Sequence, residues 1–225
     1  MAEKGLEGVI AATSSICSVD GLEGKLTYRG IDIRILAEKS TFEEVVYFLW
    51  HGRLPTRAEL DALSEQLKAC RELPSPVLAA LRAWPKTANP MEVLRTAVSL
   101  LSLYDRDAAD TSREASMRIA ARLTAQIPTI VAAFHRLRSG LEPLAPDLSL
   151  KHAANFLYML NGERPSPTAE RVFDICLILH ADHELNASTF AARVTVATLS
   201  DMYSGVVSAI GTLKGPLHGG ANTAV

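Results

Sequence analysis

The sequence has 225 residues, of which 48% are hydrophobic and 21% charged, and its formal net charge is −2. That length allows one large domain or two small ones. The near-neutral charge gives no basic excess for nucleic acid or an anionic membrane surface. Since no uninterrupted apolar run approaches the roughly 18 residues of a membrane span, we expect a chain that binds neither nucleic acid nor membrane.

The N-terminus carries acidic residues and lacks a long apolar segment, so no secretory signal is predicted. Cys17, Cys70 and Cys176 are far apart, odd in number and form no Cys-x-x-Cys pair. This spacing argues against a disulfide framework and against a thiolate zinc site. It favours a reducing compartment, which we take to be the cytoplasm.

The first 40 residues predict a small β-hairpin. Residues 15–19 and 25–28 are short, partly β-branched runs, and the Asp- and Gly-containing segment 20–24 between them is a turn signal. A short helix is predicted over residues 31–39.

From Thr41 onward the pattern predicts one helix after another. Thr41 with Glu44 and Thr56 with Glu59 are capping-box patterns, and Gly52 is placed to end the first of these helices. Pro128 should kink or split the helix that Ser112 caps. The further helices are predicted over residues 76–84, 90–104, 112–140, 150–160, 167–179, 187–199 and 202–213. The fold class is therefore all-α and multihelical, with a small N-terminal β element.

The helices after Pro167 are unusually rich in Ala, Val and Gly, so they are apolar nearly all round. A helix of that kind is normally covered on every side. The pattern leaves two interpretations open, which are the middle of a multilayer helical domain and a subunit interface.

Polar side chains that could bind a ligand or take part in catalysis cluster at residues 180–186, in the sequence HADHELN. His180 and His183 would share a face of a continuous helix, which suggests a metal. However, no further cluster supplies the third and fourth ligands, so we predict no metal here. We interpret His180 as the C-terminal cap of a helix. His183 precedes a break between helices, where a donor can face a cleft.

His218 lies in the segment GPLHGGA, where Gly219 and Gly220 allow backbone and ligand to approach closely. If a helix begins near Gly219, its dipole favours the neutral imidazole. A neutral histidine is a hydrogen-bond donor suited to a carbonyl oxygen that becomes enolic. A glycine-rich loop with an incidental histidine is the competing interpretation.

Four ordered stretches resemble the citrate synthase family. They are GKLTYRGIDIRILAEKSTFEEVVYFLWHGRLPT, HAANFLYMLNGERPSP, LILHADHELNASTF and LKGPLHGGAN. The resemblance implies an all-α homodimer with a large and a smaller, mobile domain. It also implies an acyltransferase that condenses acetyl-CoA with oxaloacetate to citrate and CoA, at entry to the tricarboxylic acid cycle. No covalently bound cofactor is implied, and acetyl-CoA is a co-substrate.

Carried over by position, His218 resembles the histidine that hydrogen-bonds the acetyl thioester oxygen. His183 resembles a histidine that binds oxaloacetate, and Asn186 falls near that substrate. Gly219 and Gly220 would support the site. The resemblance also matches the helices after Pro167 to the dimer interface.

The family's small domain, with its catalytic aspartate and substrate arginines, would follow Val225. We therefore expect residues 1–225 to be the N-terminal part of a large domain, a truncated portion without synthase activity alone. The alternatives are a 2-methylcitrate synthase that uses propionyl-CoA, a non-catalytic helical dimerisation module and, more distantly, a metal hydrolase using His180 and His183.

Overall fold

The computed structural model describes residues 12–220, which fold into ten α-helices, a 3₁₀ turn and a small sheet. The predicted all-α class is confirmed. The predicted lack of an N-terminal secretory signal and the predicted small domain after Val225 concern parts of the chain outside these residues. The strands are β1 (Cys17–Asp20), β2 (Lys25–Tyr28) and β3 (Ile31–Asp32). The helices are α1 (Ile33–Lys39), α2 (Phe42–His51), α3 (Arg57–Ala69), α4 (Ser75–Ala83), α5 (Pro90–Leu101), α6 (Arg113–Arg138), α7 (His152–Asn161), α8 (Pro167–Leu179), α9 (Ala187–Val196) and α10 (Met202–Leu213).

The predicted hairpin forms, and a third strand extends it. The sheet order is β1-β2-β3 with antiparallel pairing, and Tyr28 lies opposite both Cys17 and Ile31. Arg29 and Gly30 make the tight second turn with φ values of 47° and 86°. The helix predicted from residue 31 begins two residues later, because Asp32 closes β3 and then caps α1 through the Arg34 amide at 2.8 Å.

The predicted starts of α2 and α3 and the predicted end of α2 are confirmed by their caps, whereas α3 ends at Ala69, before the expected stop at Leu73 and Pro74. Both Thr41 and Thr56 form complete capping boxes with the glutamate three residues later. Gly52 ends α2 in the left-handed conformation, with φ of 79°. These signals are local, which is why the sequence alone predicts them.

Pro128 does not split its helix, because α6 continues as one helix of 26 residues. The side chains beside the proline anchor this stretch to a neighbouring segment. Gln126 donates to the Glu72 carbonyl at 3.1 Å, and the Thr129 hydroxyl donates to the Arg71 carbonyl at 2.9 Å. We infer that these tertiary contacts offset the backbone hydrogen bond that proline removes.

Three apolar cores hold the helices together. The largest lies among α4, α5, α6 and α10, and another joins α2, α3 and α6. The core that matters for the cleft described below contains Tyr28, Leu36, Phe48 and Ile178, so it attaches the sheet to the end of α8.

Helix α9 is not buried by the other described residues, so that part of the chain does not supply the cover that the core interpretation requires. None of the residues of α9 is buried, and Phe190 and Val194 are 37% and 53% exposed. In α10, by contrast, Tyr203, Gly205 and Ile210 are buried. The α9 face therefore remains available to another surface.

Candidate functional site

A cleft of about 920 Å³ lies between the loop that precedes α9 and the segment that follows α10. It brings together the predicted site residues His183, Asn186, His218, Gly219 and Gly220. The cleft lining also includes Asn89, Pro90, Met91, Leu179, His180, Ala181, Asp182, Ser188, Thr189, Leu213, Lys214 and Pro216.

Close packing of α9 on α10 places the two walls beside each other. A Cβ atom on Gly205 would lie 2.7 Å from a methyl carbon of Val196, so glycine is required for this approach. The two helices follow each other along the chain, and the start of α9 and the end of α10 both line the cleft. Their packing therefore sets the separation between the His183 and His218 walls.

The imidazole of His218 is held by a hydroxyl that the sequence did not single out. Its Nε2 lies 2.9 Å from Ser188 Oγ, and Ser188 Oγ lies 2.6 Å from Asn186 Oδ1. The His218 amide donates to the Gly215 carbonyl at 3.0 Å. The only sequence signal for Ser188 is its place in the first turn of a helix whose cap is Asn186.

Asn186 is the N-cap of α9. Its Oδ1 accepts from the Thr189 amide at 2.9 Å, and its Nδ2 donates to the His183 carbonyl at 3.4 Å. The side chain thus organises the cleft wall. Its predicted contact with a substrate remains a prediction.

His183 and His180 differ as predicted. His180 caps the C-terminus of α8, and its Nδ1 donates to the Cys176 carbonyl at 2.7 Å, which confirms its structural interpretation. His183 is exposed on the cleft wall, and within residues 12–220 its ring makes no hydrogen bond. No described residue therefore occupies either ring nitrogen of His183 by a hydrogen bond.

The N-terminal sheet lies directly behind the His183 loop. The Tyr28 hydroxyl is fully buried and lies 3.0 Å from the Ile178 carbonyl and 3.2 Å from the Asp182 amide. Burial raises the pKa of Tyr28 above its ordinary value, so the hydroxyl stays protonated at neutral pH. Burial, followed by a hydrogen bond with Asp182, raises the pKa of the Cys17 thiol to about 11.

Gly219 and Gly220 serve backbone packing against the end of α10. A Cβ atom on Gly220 would lie 2.7 Å from the Gly215 carbonyl oxygen and 2.8 Å from that of Lys214. A Cβ atom on Gly219 would lie 2.4 Å from a Leu213 side-chain carbon. We predicted a close approach of backbone and ligand at these glycines. What the structure shows is a close approach of the protein's own chain at the end of α10.

The cleft is suited to an anionic ligand. The N-terminal turns of α5 and α9 line it, and helix N-termini favour negative charge. Lys214 adds a cation that pairs with Glu92. Among the described lining residues the one carboxylate is Asp182, and its Oδ1 is engaged by the Glu184 amide at 3.0 Å.

Within residues 12–220, no group of three or more His, Cys, Asp or Glu side chains could hold a metal ion. None of the helices in that part combines the length and the hydropathy needed to cross a bilayer.

Three histidines, His180, His183 and His218, and the N-terminal turns of α5 and α9 line this cleft in a multihelical fold. The family model "Citrate synthase, C-terminal domain" matches residues 5–225. The chain belongs to the citrate synthase family.

The chain is 53% identical to citrate synthase 2 of Bacillus subtilis, over 100% of this chain and 60% of that protein. It is 46% identical to a 2-methylcitrate synthase of Mycobacterium tuberculosis, over 99% of this chain and 56% of that one.

Solved structures of the family share the fold. Citrate synthase from Pyrobaculum aerophilum matches with a TM-score of 0.92 and 47% identity, over 98% of this chain and 57% of that one. Citrate synthase from Thermoplasma acidophilum, solved in a ternary complex with carboxymethyl coenzyme A and oxaloacetate, matches with a TM-score of 0.92 and 32% identity, over 98% of this chain and 58% of that one. The chain thus spans between half and two thirds of these relatives.

Proposed function

We propose that the protein condenses acetyl-CoA with oxaloacetate to give citrate and CoA. The observation that carries the proposal is the meeting of His183 and His218 in one cleft, beside the N-termini of α5 and α9. Oxaloacetate is a dicarboxylate and CoA carries phosphates, so both ligands suit helix N-termini. The relative solved with carboxymethyl coenzyme A and oxaloacetate supports the same ligand pair.

His218 would stabilise the enol of the acetyl group. The Ser188 hydroxyl donates its one proton to Asn186 Oδ1, so its oxygen accepts a hydrogen bond from His218 Nε2–H. A neutral His218 therefore carries its proton on Nε2. That N–H would be donated to the thioester oxygen in place of Ser188 Oγ as negative charge develops there.

His183 would polarise the ketone of oxaloacetate. Its exposed ring can donate to the ketone oxygen that the enol attacks, which makes the carbonyl carbon more electrophilic. Asn186 would keep the His183 backbone in place through its contact with the His183 carbonyl.

A base must remove the α-proton, and arginines should clamp the dicarboxylate. Among the described lining residues Asp182 is the one carboxylate, and a loop amide engages it. We propose that the base and the clamp come from the part of the relatives' length that this chain does not cover. In that proposal residues 1–225 belong to the large domain and have no turnover on their own.

We also propose a cytoplasmic homodimer. The exposed apolar residues of α9 support a second copy on that face, and the three free cysteines support a reducing compartment. The resemblance that matches these helices to the family's dimer interface favours the same arrangement.

The test is release of the free CoA thiol by protein expressed from the complete coding sequence, with acetyl-CoA and oxaloacetate supplied. We expect turnover in the unmodified protein, a loss of at least about 100-fold in His218→Gln, and no change in His135→Gln, whose histidine is exposed on α6. Unchanged turnover in both His183→Ala and His218→Ala would favour a non-catalytic dimerisation module.

Because one relative is a 2-methylcitrate synthase, propionyl-CoA belongs in the same assay. One methylene is worth only about 1–3 kcal/mol in a hydrophobic pocket, or roughly 10- to 200-fold in kcat/KM. A kcat/KM that favours propionyl-CoA would assign the alternative activity.

A further inference from the structure

Glu184, which follows His183, has a left-handed backbone with φ of 61°. A side-chain-bearing residue rarely adopts this conformation and keeps it only where the surroundings determine it. The conformation turns the chain between the end of α8 and the start of α9, so it decides where the His183 side chain stands in the cleft.

The surroundings that determine it belong to the N-terminal sheet. Glu184 Oε1 accepts a hydrogen bond of 2.6 Å from the Val19 amide, 165 residues away. β1 is an edge strand, and the Val19 amide faces away from its neighbour β2. The Glu184 carboxylate therefore occupies a backbone donor that the sheet itself leaves free.

The residue on the other side of His183 is anchored to the same sheet. The Tyr28 hydroxyl accepts from the Asp182 amide at 3.2 Å and lies 3.1 Å from the Asp182 carbonyl. His183 is thus flanked by Asp182, held by Tyr28 of β2, and by Glu184, held by β1.

We propose that Glu184 and Tyr28 are positioning residues that fix His183 for its contact with oxaloacetate. This inference rests on the proposed function. His180 closes α8 and Asn186 opens α9 without the Glu184 contact, whereas the Tyr28 hydroxyl also lies 3.0 Å from the Ile178 carbonyl in the last turn of α8. Loss of the Glu184 anchor should therefore free the short loop and leave the helices in place, and loss of the Tyr28 hydroxyl should free the loop together with the last turn of α8.

The experiment compares four variants of protein expressed from the complete coding sequence. Glu184→Ala removes the anchor, and Glu184→Gln keeps an acceptor oxygen for the Val19 amide. Tyr28→Phe removes only the buried hydroxyl. Tyr47→Phe is its matched control, because the Tyr47 hydroxyl meets Arg53, whose guanidinium also pairs with Glu59, and none of these residues lines the cleft.

We expect the KM for oxaloacetate to rise about tenfold in Glu184→Ala and Tyr28→Phe, the effect of one lost hydrogen bond at a positioned group. The KM for acetyl-CoA should stay within about twofold, since the His218 wall is untouched. Glu184→Gln should recover the oxaloacetate KM, and Tyr47→Phe should match the unmodified protein.

Hydrogen exchange of the amides of residues 183–186 provides a second readout that needs no turnover. We expect about tenfold faster exchange in Glu184→Ala than in Glu184→Gln. If the unmodified protein has no turnover, the proposed function is wrong. The comparison of hydrogen-exchange rates would still test whether Glu184 anchors the His183 loop. Active protein whose Glu184→Ala variant keeps both its oxaloacetate KM and its exchange rates would overturn the positioning role. So would a rise in both KM values alike.

Discussion

His218 Nε2, in the turn after α10, lies 2.9 Å from the hydroxyl of Ser188, which belongs to α9, 30 residues earlier in the chain. The same hydroxyl reaches the N-cap side chain of its own helix, Asn186, at 2.6 Å. Because Asn186 Oδ1 accepts the one Ser188 proton, the Ser188 oxygen accepts from His218 Nε2, which therefore carries the proton of the neutral imidazole. The tautomer of the proposed donor depends on the first turn of α9.

Replacing Ser188 with alanine should lower kcat with little change in KM for oxaloacetate. The imidazole would lose the partner that selects its tautomer, and one orienting hydrogen bond corresponds to about tenfold in rate. Steady-state kinetics of Ser188→Ala and of Ser188→Thr, which keeps the hydroxyl, measure the effect. Equal kcat values in the alanine variant and the unmodified protein would contradict it.

Gly220→Ala should destabilise the segment that carries His218. The new Cβ would lie 2.7 Å from the Gly215 carbonyl oxygen, and a backbone atom cannot move away as a flexible side chain can. Overpacking of this kind costs about 1–3 kcal/mol, or several degrees in Tm. Thermal unfolding tests this against Gly21→Ala, a position where a Cβ atom meets nothing within 4 Å. A Tm equal to that of the control would contradict the packing argument.

The buried imidazole of His152 should make stability fall with acid. It is 4% exposed, its Nδ1 has no partner among the described residues, and burial together with the nearby Arg71 charge lowers its pKa to about 4. Because the unfolded chain takes up a proton near pH 6.5 and the folded chain only near 4, stability is full above 6.5 and is lost as pH falls between these values. The full difference corresponds to about 3 kcal/mol.

The measurement for His152 is the unfolding midpoint in denaturant across pH 4.5 to 7.5. We expect the acid-dependent decline to be weaker in His152→Phe, which keeps a ring beside Phe42 at the 5.1 Å centroid separation of the present pair. His135→Gln, on the exposed face of α6, should retain the decline. Parallel pH profiles in His152→Phe and the unmodified protein would refute the assignment.

A charge on the exposed face of α9 should shift the protein from dimer toward monomer. Val194 is 53% exposed within the described chain, and a glutamate there would be desolvated if a second copy covers it. Sedimentation velocity of Val194→Glu measures the change, and Leu22→Glu, at a fully exposed position in the hairpin turn, is the control. A dimer of unaltered affinity in Val194→Glu would place the interface elsewhere.

Local signals explain what the sequence predicted well. The capping boxes at Thr41 and Thr56, the β1–β2 turn and the left-handed glycine after α2 each depend on residues a few positions apart. His183 and His218 were singled out by a break between helices and by neighbouring glycines, and both line one cleft. The error at residues 31 and 32 arose because Arg29 takes a positive φ that arginine seldom adopts, and this turn adds the strand β3.

Long-range contacts explain what the sequence did not predict. Nothing near Ser188 indicates that His218 returns to it, and nothing near Tyr28 indicates contact with Asp182. The sequence pattern also did not predict that α9 is uncovered within the described chain. An apolar helix has the same composition whether its own chain or another chain covers it. These contacts are set by tertiary packing, whereas each element is set by its neighbours in sequence.

The Tyr28 contact also orders events during synthesis. Its partner Asp182 follows 154 residues later, which at about 5–20 residues per second is roughly 8–30 s of translation. During that interval the Tyr28 hydroxyl lacks the segment that contains its partner Asp182. The His183 loop therefore acquires its final shape only after residue 182 has followed the sheet out of the ribosome, so this wall of the cleft cannot be completed before the sheet that supports it is in place.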